Sequence, residues 1–277
     1  AAWGPLLYLL GPTEPFLTGF VWEQEGEIIG NINLAPARPE SAGWIIGNLA
    51  VHPLHRRRGI ARQLLQAALD FVALNGGQIV MLQVDARNEA AKGLYRAFGF
   101  AHRDTWVQVL RPADVLWPVD PPRGLTWRPY RAQDRKDVRE LIRTAMSAEV
   151  GRLKAALWGW FPSGSGKWWA DSWEDLWRRQ RAYRLVIEEG TRIAAYLEAQ
   201  ARPHSSHHRL GFVVRPGTER IARALVQQGL YLLGAHRPQP VFSILPASDQ
   251  AGLEALASWG FREARRLDVM TLELAGR

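Results

Sequence analysis

An internal repeat is the feature of this sequence that most constrains its fold. Two landmarks recur 161 residues further along the chain: Ile60-Ala61-Arg62 as Ile221-Ala222-Arg223, and Gly99-Phe100 as Gly260-Phe261. A strand–turn–strand pattern over residues 20–34 also recurs over residues 185–200, with Glu-Gly at the turn in both cases. Landmarks that keep their order and spacing in this way indicate a duplicated domain.

The two halves of the repeat are joined by a proline-rich segment. Residues 111–124 contain four prolines, which are incompatible with a helix interior and with a central strand. We therefore expect one domain at residues 1–110, a linker at 111–124 and a second domain at 125–277. The second half begins with a short strand and a helix. We expect that their counterparts, the first strand and helix of the first domain, are missing from this sequence, or that the first copy is naturally shorter.

Residues 51–62, with the sequence VHPLHRRRGIAR, combine the end of a strand, a basic turn and the start of an amphipathic helix. The first N–H groups of a helix have no partner within the helix, and they lie at the positive end of its dipole. Gly59 has no side chain, so a ligand can approach the backbone closely at this point. The segment therefore predicts a cradle for a pyrophosphate.

The order of the residues distinguishes this cradle from other glycine-containing phosphate sites. The Gly-Lys-Ser/Thr ending of a P-loop is absent, and so are the three spaced glycines of a dinucleotide-binding fingerprint. The chain instead has V-x-P at residues 51–53 and R-x-x-G-x-A at residues 56–61. A strand at 79–84 and the pattern N-x-x-A-x-x-L-Y-x-x-x-G-F at residues 88–100 follow. Together these motifs resemble the acetyl-CoA signature of the GNAT superfamily of N-acetyltransferases.

The resemblance implies an α/β (α+β) fold with two GNAT-like domains, each a mixed, mostly antiparallel twisted sheet flanked by helices. It also implies a transferase: an acyltransferase that moves an acetyl group from acetyl-CoA to a primary amine by direct attack in a ternary complex. The chain has no cysteine that could form an acyl-enzyme. The expected acceptor is a small-molecule amine or a peptide N-terminus, and the acceptor's identity and the preferred acyl chain length stay open. The alternative is an acyl-CoA-binding sensor or pseudoenzyme without transferase activity.

The resemblance assigns the acetyl-CoA site to the first half. The implied cofactor-binding residues are Leu49, Ala50 and Val51 along the pantetheine arm and acetyl oxygen, Arg56, Arg57, Arg58, Gly59, Ile60, Ala61 and Arg62 around the pyrophosphate, and Asn88 at the pantetheine. Tyr95 would lie near the thioester sulfur as the catalytic general acid that protonates the leaving thiolate. The competing interpretation of Tyr95 is a core aromatic residue at helical spacing from Ala91 and Phe98.

The sequence does not identify a general base. Many family members have a glutamate on one of the two strands that hold the acetyl group, whereas this chain has Asn48 and Gln83, which do not titrate. The nearest carboxylates along the sequence, Asp85, Glu23 and Glu27, are of the kind that is usually only solvated.

The second half retains the apolar pattern of the fold but changes the residues of the donor site. Its cradle turn is two residues shorter, and the substitutions are Arg220 for Gly59, Glu219 for Arg58 and Leu256 for Tyr95. We therefore expect a degenerate second copy that does not bind acetyl-CoA. In tandem members of the superfamily the active copy is usually the second, so the reversed order here argues against identity with those proteins.

Composition argues against several other classes. No apolar run reaches the ~20 residues of a membrane-spanning helix and no secretory signal is present, so we expect a cytoplasmic protein without a membrane partner. The net charge of +8 and the pI near 10.3 suggest a nucleic acid as binding partner. The arginines are scattered and no nucleic-acid-binding motif is present, so that partner is not favoured.

Two clusters have no assigned role. His204, His207 and His208 lie close together, but no further ligand completes a metal site, so we expect no metal. Residues 158–177 contain six of the 13 tryptophans. A lid over the acceptor, packing between the two copies, and a homodimer contact are equal alternatives for this segment.

Overall fold

The computed structural model describes residues 18–37, 43–115, 117–118, 120–145 and 181–274. The tryptophan-rich segment at 158–177 lies outside these residues, and so does the stretch ahead of residue 18, on which the expectation about the first strand and helix depends. The chain divides into two compact units. Unit 1 comprises residues 1–104 and 267–277, and unit 2 comprises residues 105–266.

Unit 1 is built on a mixed sheet with two helices. Its elements are β1 (Thr18–Gln24), β2 (Glu27–Pro36), β3 (Gly43–Val51), α1 (Ile60–Leu74), β4 (Ile79–Asp85), α2 (Glu89–Ala97) and the first residues of β5 (Ala101–Arg111). The strands β1, β2, β3 and β4 lie side by side in this order, and only β3 and β4 run parallel. The outer edge of β4 pairs antiparallel with residues 267–273 of β11 (Arg262–Glu273).

Unit 2 repeats this pattern of strand directions. Its further elements are β6 (Trp127–Pro129), α3 (Arg135–Ala145), β7 (Arg181–Glu189), β8 (Arg192–Ala201), β9 (His208–Val214), α4 (Ala222–Leu233), β10 (Val241–Pro246) and α5 (Gln250–Ala257). The strand order is β5, β10, β9, β8, β7, β6, and only β9 and β10 run parallel. The expected fold class, mixed and mostly antiparallel sheets flanked by helices, is confirmed.

The compact units differ from the contiguous domains 1–110 and 125–277 expected from the repeat, because each half contributes its last strand to the other unit. Residues 267–273 of β11 pair with β4 in unit 1, and residues 106–111 of β5 pair with β10 in unit 2. We call this arrangement the strand exchange. Buried Lys92 of α2 supports it through an ion pair of 3.2 Å with Asp268 of β11.

The helix α1 forms for the reasons visible in its sequence. The predicted stripe of Ile60, Leu64, Leu65, Ala68 and Val72 is buried against the sheet, and full burial of one such leucine stabilises by about 1.5–3 kcal/mol. The helix ends where the glycines predicted. The N–H groups of Gly76 and Gly77 donate to the carbonyls of Ala73 and Val72, at 3.1 and 2.9 Å, and Gly76 is left-handed.

The proline-rich segment packs against unit 2. Arg111 is fully buried at its start, and its Nε donates to the Trp259 carbonyl at 2.8 Å. The Arg111 guanidinium lies 4.8 Å from the centroid of the Trp117 ring, which itself packs on the core of unit 2. Farther along, Gln227 of α4 donates to the Asp120 carbonyl at 3.2 Å. The segment is therefore held to this unit at several points by hydrogen bonds and ring contacts.

Candidate active site

The turn between β3 and α1 presents a run of backbone donors. After a 3-10 turn at Pro53–His55, the chain passes through left-handed Arg57 and Gly59, with φ of 65° and 79°, into α1. Hydrogen bonding within α1 starts only at Gln63, whose N–H donates to the Gly59 carbonyl at 3.1 Å. In the part of the chain that the structure describes, the N–H groups of residues 57–62 have no hydrogen-bond partner. This arrangement is that of an anion cradle.

Gly59 leaves the cradle open. A Cβ built on Gly59 would have only the Gln63 side-chain nitrogen nearby, at 4.0 Å, so a side chain there would project into the space in front of the turn. The side chain of Ile60 is buried in the core, and only the backbone of this residue faces the cradle. The first turn of α1 contains no acidic residue that would repel an anion.

The arginines of the turn brace it as well as adding charge. Arg56 donates through Nε to the Val51 carbonyl at 3.1 Å, and Arg58 donates through Nη2 to the Leu54 carbonyl at 3.4 Å. Arg62 places its guanidinium 5.3 Å from the centroid of the Phe98 ring of α2. The side chains of Arg56, Arg57, Arg58 and Arg62 are all exposed. The turn therefore combines free N–H groups with a positive surface, as a pyrophosphate requires.

The strands β3 and β4 diverge beside the cradle. Their parallel pairing runs from Gly43 with Ile79 to Ile46 with Leu82 and then stops, although β3 continues to Val51 and β4 to Asp85. A bulge interrupts the pairing of β3 with β2, and Asn48 adopts a left-handed φ of 52° there. The backbone of Leu49, Ala50 and Val51 borders the resulting gap, and the cradle lies at its open end. An extended arm laid in the gap would meet unpaired backbone groups of both strands.

Tyr95 is a buried residue of α2. It is 7% exposed, and its ring packs edge-on against Phe100 with the centroids 5.8 Å apart. Burial raises the pKa of Tyr95 to about 12, so its hydroxyl stays protonated at neutral pH. Among the described residues the hydroxyl has no hydrogen-bond partner. Burial and the ring contact with Phe100 fit the core role, and the catalytic assignment stays a prediction.

Asn88 is the N-cap of α2. Its Oδ1 accepts the Ala91 N–H at 3.1 Å, which is the ordinary contribution of asparagine at a helix start. Asp249 makes the same contact with Gly252 in unit 2, at 2.9 Å. The structure therefore gives Asn88 a structural role, and its contact with a pantetheine stays a prediction.

The carboxylates near the gap in sequence are engaged or exposed. Asp85 accepts the Arg87 backbone N–H at 2.9 Å and forms an ion pair with the Arg87 side chain at 3.2 Å. Glu23 and Glu27 are exposed at the end of the β1–β2 hairpin. Asn48 and Gln83 lie on the two diverging strands, as the sequence predicted. The sequence did not reveal that the Nε2 atom of Gln83 is buried and has no partner among the described residues.

The equivalent turn of unit 2 is closed by its own groups. The Gly217 N–H donates to the Glu219 carboxylate at 2.8 Å, and this bond lowers the pKa of Glu219. The N–H groups of Thr218 and Ile221 donate to backbone carbonyls at 3.0 and 3.1 Å, and that of Ala222 donates to the Glu219 carbonyl. A carboxylate of the chain thus occupies one N–H of this turn, and backbone carbonyls occupy three more.

The histidine cluster is organised by hydrogen bonds. His208 is fully buried, accepts the Arg202 N–H at Nδ1 and contacts the Arg237 carbonyl through Nε2, both at 3.0 Å. Burial lowers the pKa of His208. No group of three potential metal ligands occurs within the described ranges, and no helix there is long and apolar enough to cross a membrane.

Comparison with known proteins places the donor-site motifs in a family. The model of the acetyltransferase (GNAT) family matches residues 4–100, which include the cradle, the diverging strands and Tyr95. Over these residues the chain is similar to the GNAT family. Its similarity to curated members is local. It is 31% identical over 121 residues to a mycothiol acetyltransferase of Saccharopolyspora erythraea, and this match covers 40% of each chain.

A second mycothiol acetyltransferase, from Nocardioides sp., is 34% identical over 102 residues, covering 36% of this chain and 34% of that one. The chain thus spans less than half the length of these relatives.

Two solved structures share the GNAT fold across nearly the whole chain. A GCN5-related N-acetyltransferase from Sphaerobacter thermophilus has a TM-score of 0.68 at 17% identity, covering 94% of this chain and 81% of that one. A tandem GNAT protein of clavulanic acid biosynthesis has a TM-score of 0.61 at 17% identity, with coverages of 92% and 82%.

Proposed function

We propose that the protein is an acetyl-CoA-dependent N-acetyltransferase with its donor site in unit 1. The observation that carries this proposal is the run of free N–H groups at residues 57–62, at the open end of the gap between β3 and β4. These donors fit the pyrophosphate of CoA, and the gap fits its extended pantetheine arm, along the backbone of Leu49, Ala50 and Val51. The GNAT family match supports acyl transfer and does not favour the alternative of a non-catalytic acyl-CoA sensor.

The proposed reaction is direct aminolysis of the thioester. The nitrogen of a neutral primary amine attacks the thioester carbon, the new C–N bond forms, and the C–S bond breaks to release the CoA thiolate. The amine loses one proton and the thiolate gains one, so the products are an N-acetyl amide and free CoA. Tyr95, whose hydroxyl is protonated at neutral pH, is the proposed donor of the thiolate proton. Because burial raises the pKa of Tyr95 to about 12, the phenolate left behind takes up a proton through water, and the amine supplies that proton.

The acceptor is proposed as a small-molecule amine or a peptide N-terminus. The curated relatives are named mycothiol acetyltransferases, which supports including a mycothiol-type amine in any acceptor panel. Because the similarity covers less than half of those proteins, the panel should also contain aminoglycosides, polyamines, amino acids and peptides.

We further infer that unit 2 is a degenerate copy that does not bind the donor. The Glu219 carboxylate accepts the Gly217 N–H in its turn, so an incoming pyrophosphate would have to displace a charged group of the protein. The free N–H groups at residues 57–62 of unit 1 need no such displacement.

Titration with acetyl-CoA tests both statements. We expect one site per chain, and we expect Gly59→Glu to abolish binding, because its side chain enters the cradle with a negative charge. Gly217→Glu is the matched control, since Gly217 is a left-handed glycine with open space around it in the equivalent turn of unit 2. The control should bind acetyl-CoA as the wild type does. Two sites of similar affinity, or equal loss in both variants, would contradict the proposal.

A further inference from the structure

The nitrogen atom of one side-chain amide is buried at the point where β3 and β4 separate. Gln83 is the first residue of β4 beyond the last pair with β3, Ile46 with Leu82. Its Nε2 atom is shielded from solvent and has no hydrogen-bond partner among the residues that the structure describes. An unsatisfied buried donor destabilises a fold, so its presence at the apex of the gap suggests that a ligand completes the bond.

The side chain of Gln83 lies on the sheet face opposite α1. Its neighbours Leu82 and Val84 belong to the core with α1, and side chains alternate along a strand. In the sheet, Gln83 pairs with fully buried Val269 of β11. Across the gap, Gly47 of β3 pairs with Asn33 of β2. Gly47 has no side chain, so β3 puts none into the space between Gln83 and Asn33.

The cradle determines which end of the donor would reach Gln83. The free N–H groups at residues 57–62 follow the C-terminal end of β3, so a pyrophosphate held there lies at the open end of the gap. An arm extending from it along residues 47–51 runs toward the apex. The thioester is at the far end of that arm and therefore comes to the apex, where Gln83 lies.

We propose that Gln83 is a catalytic residue whose Nε2–H donates a hydrogen bond to the thioester carbonyl oxygen; this rests on the proposed function. When the amine attacks, its lone pair forms the C–N bond and the carbonyl π pair moves onto that oxygen. Gln83 stabilises the resulting oxyanion. When the intermediate collapses, the electron pair returns to form the amide carbonyl and the C–S bond breaks. Gln83 exchanges no proton, so a residue that does not titrate is suited to this position.

The test needs no knowledge of the acceptor. We would bind [1-¹³C]acetyl-CoA to the intact protein and record the infrared stretch of its thioester carbonyl. In the wild type we expect a lower frequency than in free acetyl-CoA, because a hydrogen bond weakens the C=O bond. Gln83→Met, which keeps the length of the side chain and removes the donor, should return the frequency toward the free value without weakening binding.

Stability and kinetics provide a second, independent signature. Gln83→Met removes an unsatisfied buried donor, so the Tm of the free protein should rise, while kcat with any accepted amine should fall roughly 10²–10³-fold. The KM for acetyl-CoA should stay nearly constant. A residue that only filled space would not combine a higher Tm with a lower kcat.

The matched control is Gln228→Met on α4 of unit 2, where a buried glutamine also has an unpartnered amide atom. It should leave both the carbonyl frequency and kcat unchanged. If Gln83→Met does not fold, Gln83→Glu serves instead, because it has the same shape and its carboxylate cannot donate. A wild type that binds acetyl-CoA with a carbonyl frequency unaffected by either variant overturns this inference alone. A wild type that does not bind acetyl-CoA contradicts the proposed function itself.

Discussion

The hydroxyl of Tyr95 allows a test of catalysis at a single atom. Tyr95→Phe keeps the ring packing on Phe100 and removes a hydroxyl without a described hydrogen-bond partner, so the Tm should change little. If the hydroxyl protonates the leaving thiolate, kcat should fall roughly 10²–10⁴-fold at constant KM for acetyl-CoA. A free-thiol assay over a panel of amines measures both quantities.

The control for this variant is Tyr231→Phe, which removes an exposed hydroxyl on α4 of unit 2. It should leave kcat unchanged. Near-wild-type kcat in Tyr95→Phe would assign Tyr95 to the core of unit 1. Solvent would then protonate the thiolate.

Single residues were predictable from the sequence where their conformation depends on near neighbours. The left-handed Gly59 and the glycines that end α1 follow from residue type and position alone. Asn88 also follows a local rule, since asparagine before a helix is a common N-cap, although the resemblance suggested only a ligand contact. The unpartnered Nε2 of Gln83 depends on the divergence of two strands and was not visible in the sequence.

At the scale of elements, Arg111 is the attachment of the proline-rich segment to unit 2. Arg111→Met keeps much of the buried volume but leaves the Trp259 and Val115 carbonyls without their donor. An acceptor left unsatisfied inside a protein costs about 1–3 kcal/mol. We therefore expect the free energy of unfolding to fall by about 2 kcal/mol in urea denaturation.

Arg123→Met is the matched control, because Arg123 is an exposed arginine in the same segment. Its unfolding midpoint should equal that of the wild type. If Arg111→Met is equally stable, the segment is a connection that contributes nothing to unit 2.

The elements themselves could be predicted from apolar periodicity, whereas the partner of each end strand could not. The apolar residues Leu267, Val269, Met270 and Leu272 predict a strand. They do not specify the partner of that strand. The strand β10 is closer along the sequence, whereas the structure pairs β11 with β4. Asp268, whose partner Lys92 lies 176 residues earlier, shows that the specifying contact is tertiary.

For the whole molecule, the strand exchange predicts that unit 1 needs residues far beyond its family match. A chain that ends at Arg266 keeps the cradle, the gap and all of residues 4–100, but β4 loses its antiparallel partner and Lys92 loses Asp268. If the folded fraction of unit 1 drops to about a tenth, the apparent Kd for acetyl-CoA weakens about tenfold. Calorimetric titration of the shortened chain measures this change.

A chain that ends after Leu274 keeps the strand and should bind acetyl-CoA normally. A synthetic peptide of residues 262–274, added to the chain ending at Arg266, should restore part of the binding. Wild-type affinity in the shortened chain without the peptide would show that unit 1 does not depend on β11.

The strand exchange also fixes an order of events during translation. Residues 18–104 leave the ribosome before residues 105–266, yet the strand that completes their sheet is synthesised only after both. Domains usually fold as they emerge, the N-terminal one first. Of the two units, unit 1 begins synthesis earlier but can complete its sheet only after unit 2 is synthesised. The open edge of β4 must be protected from other nascent chains until then.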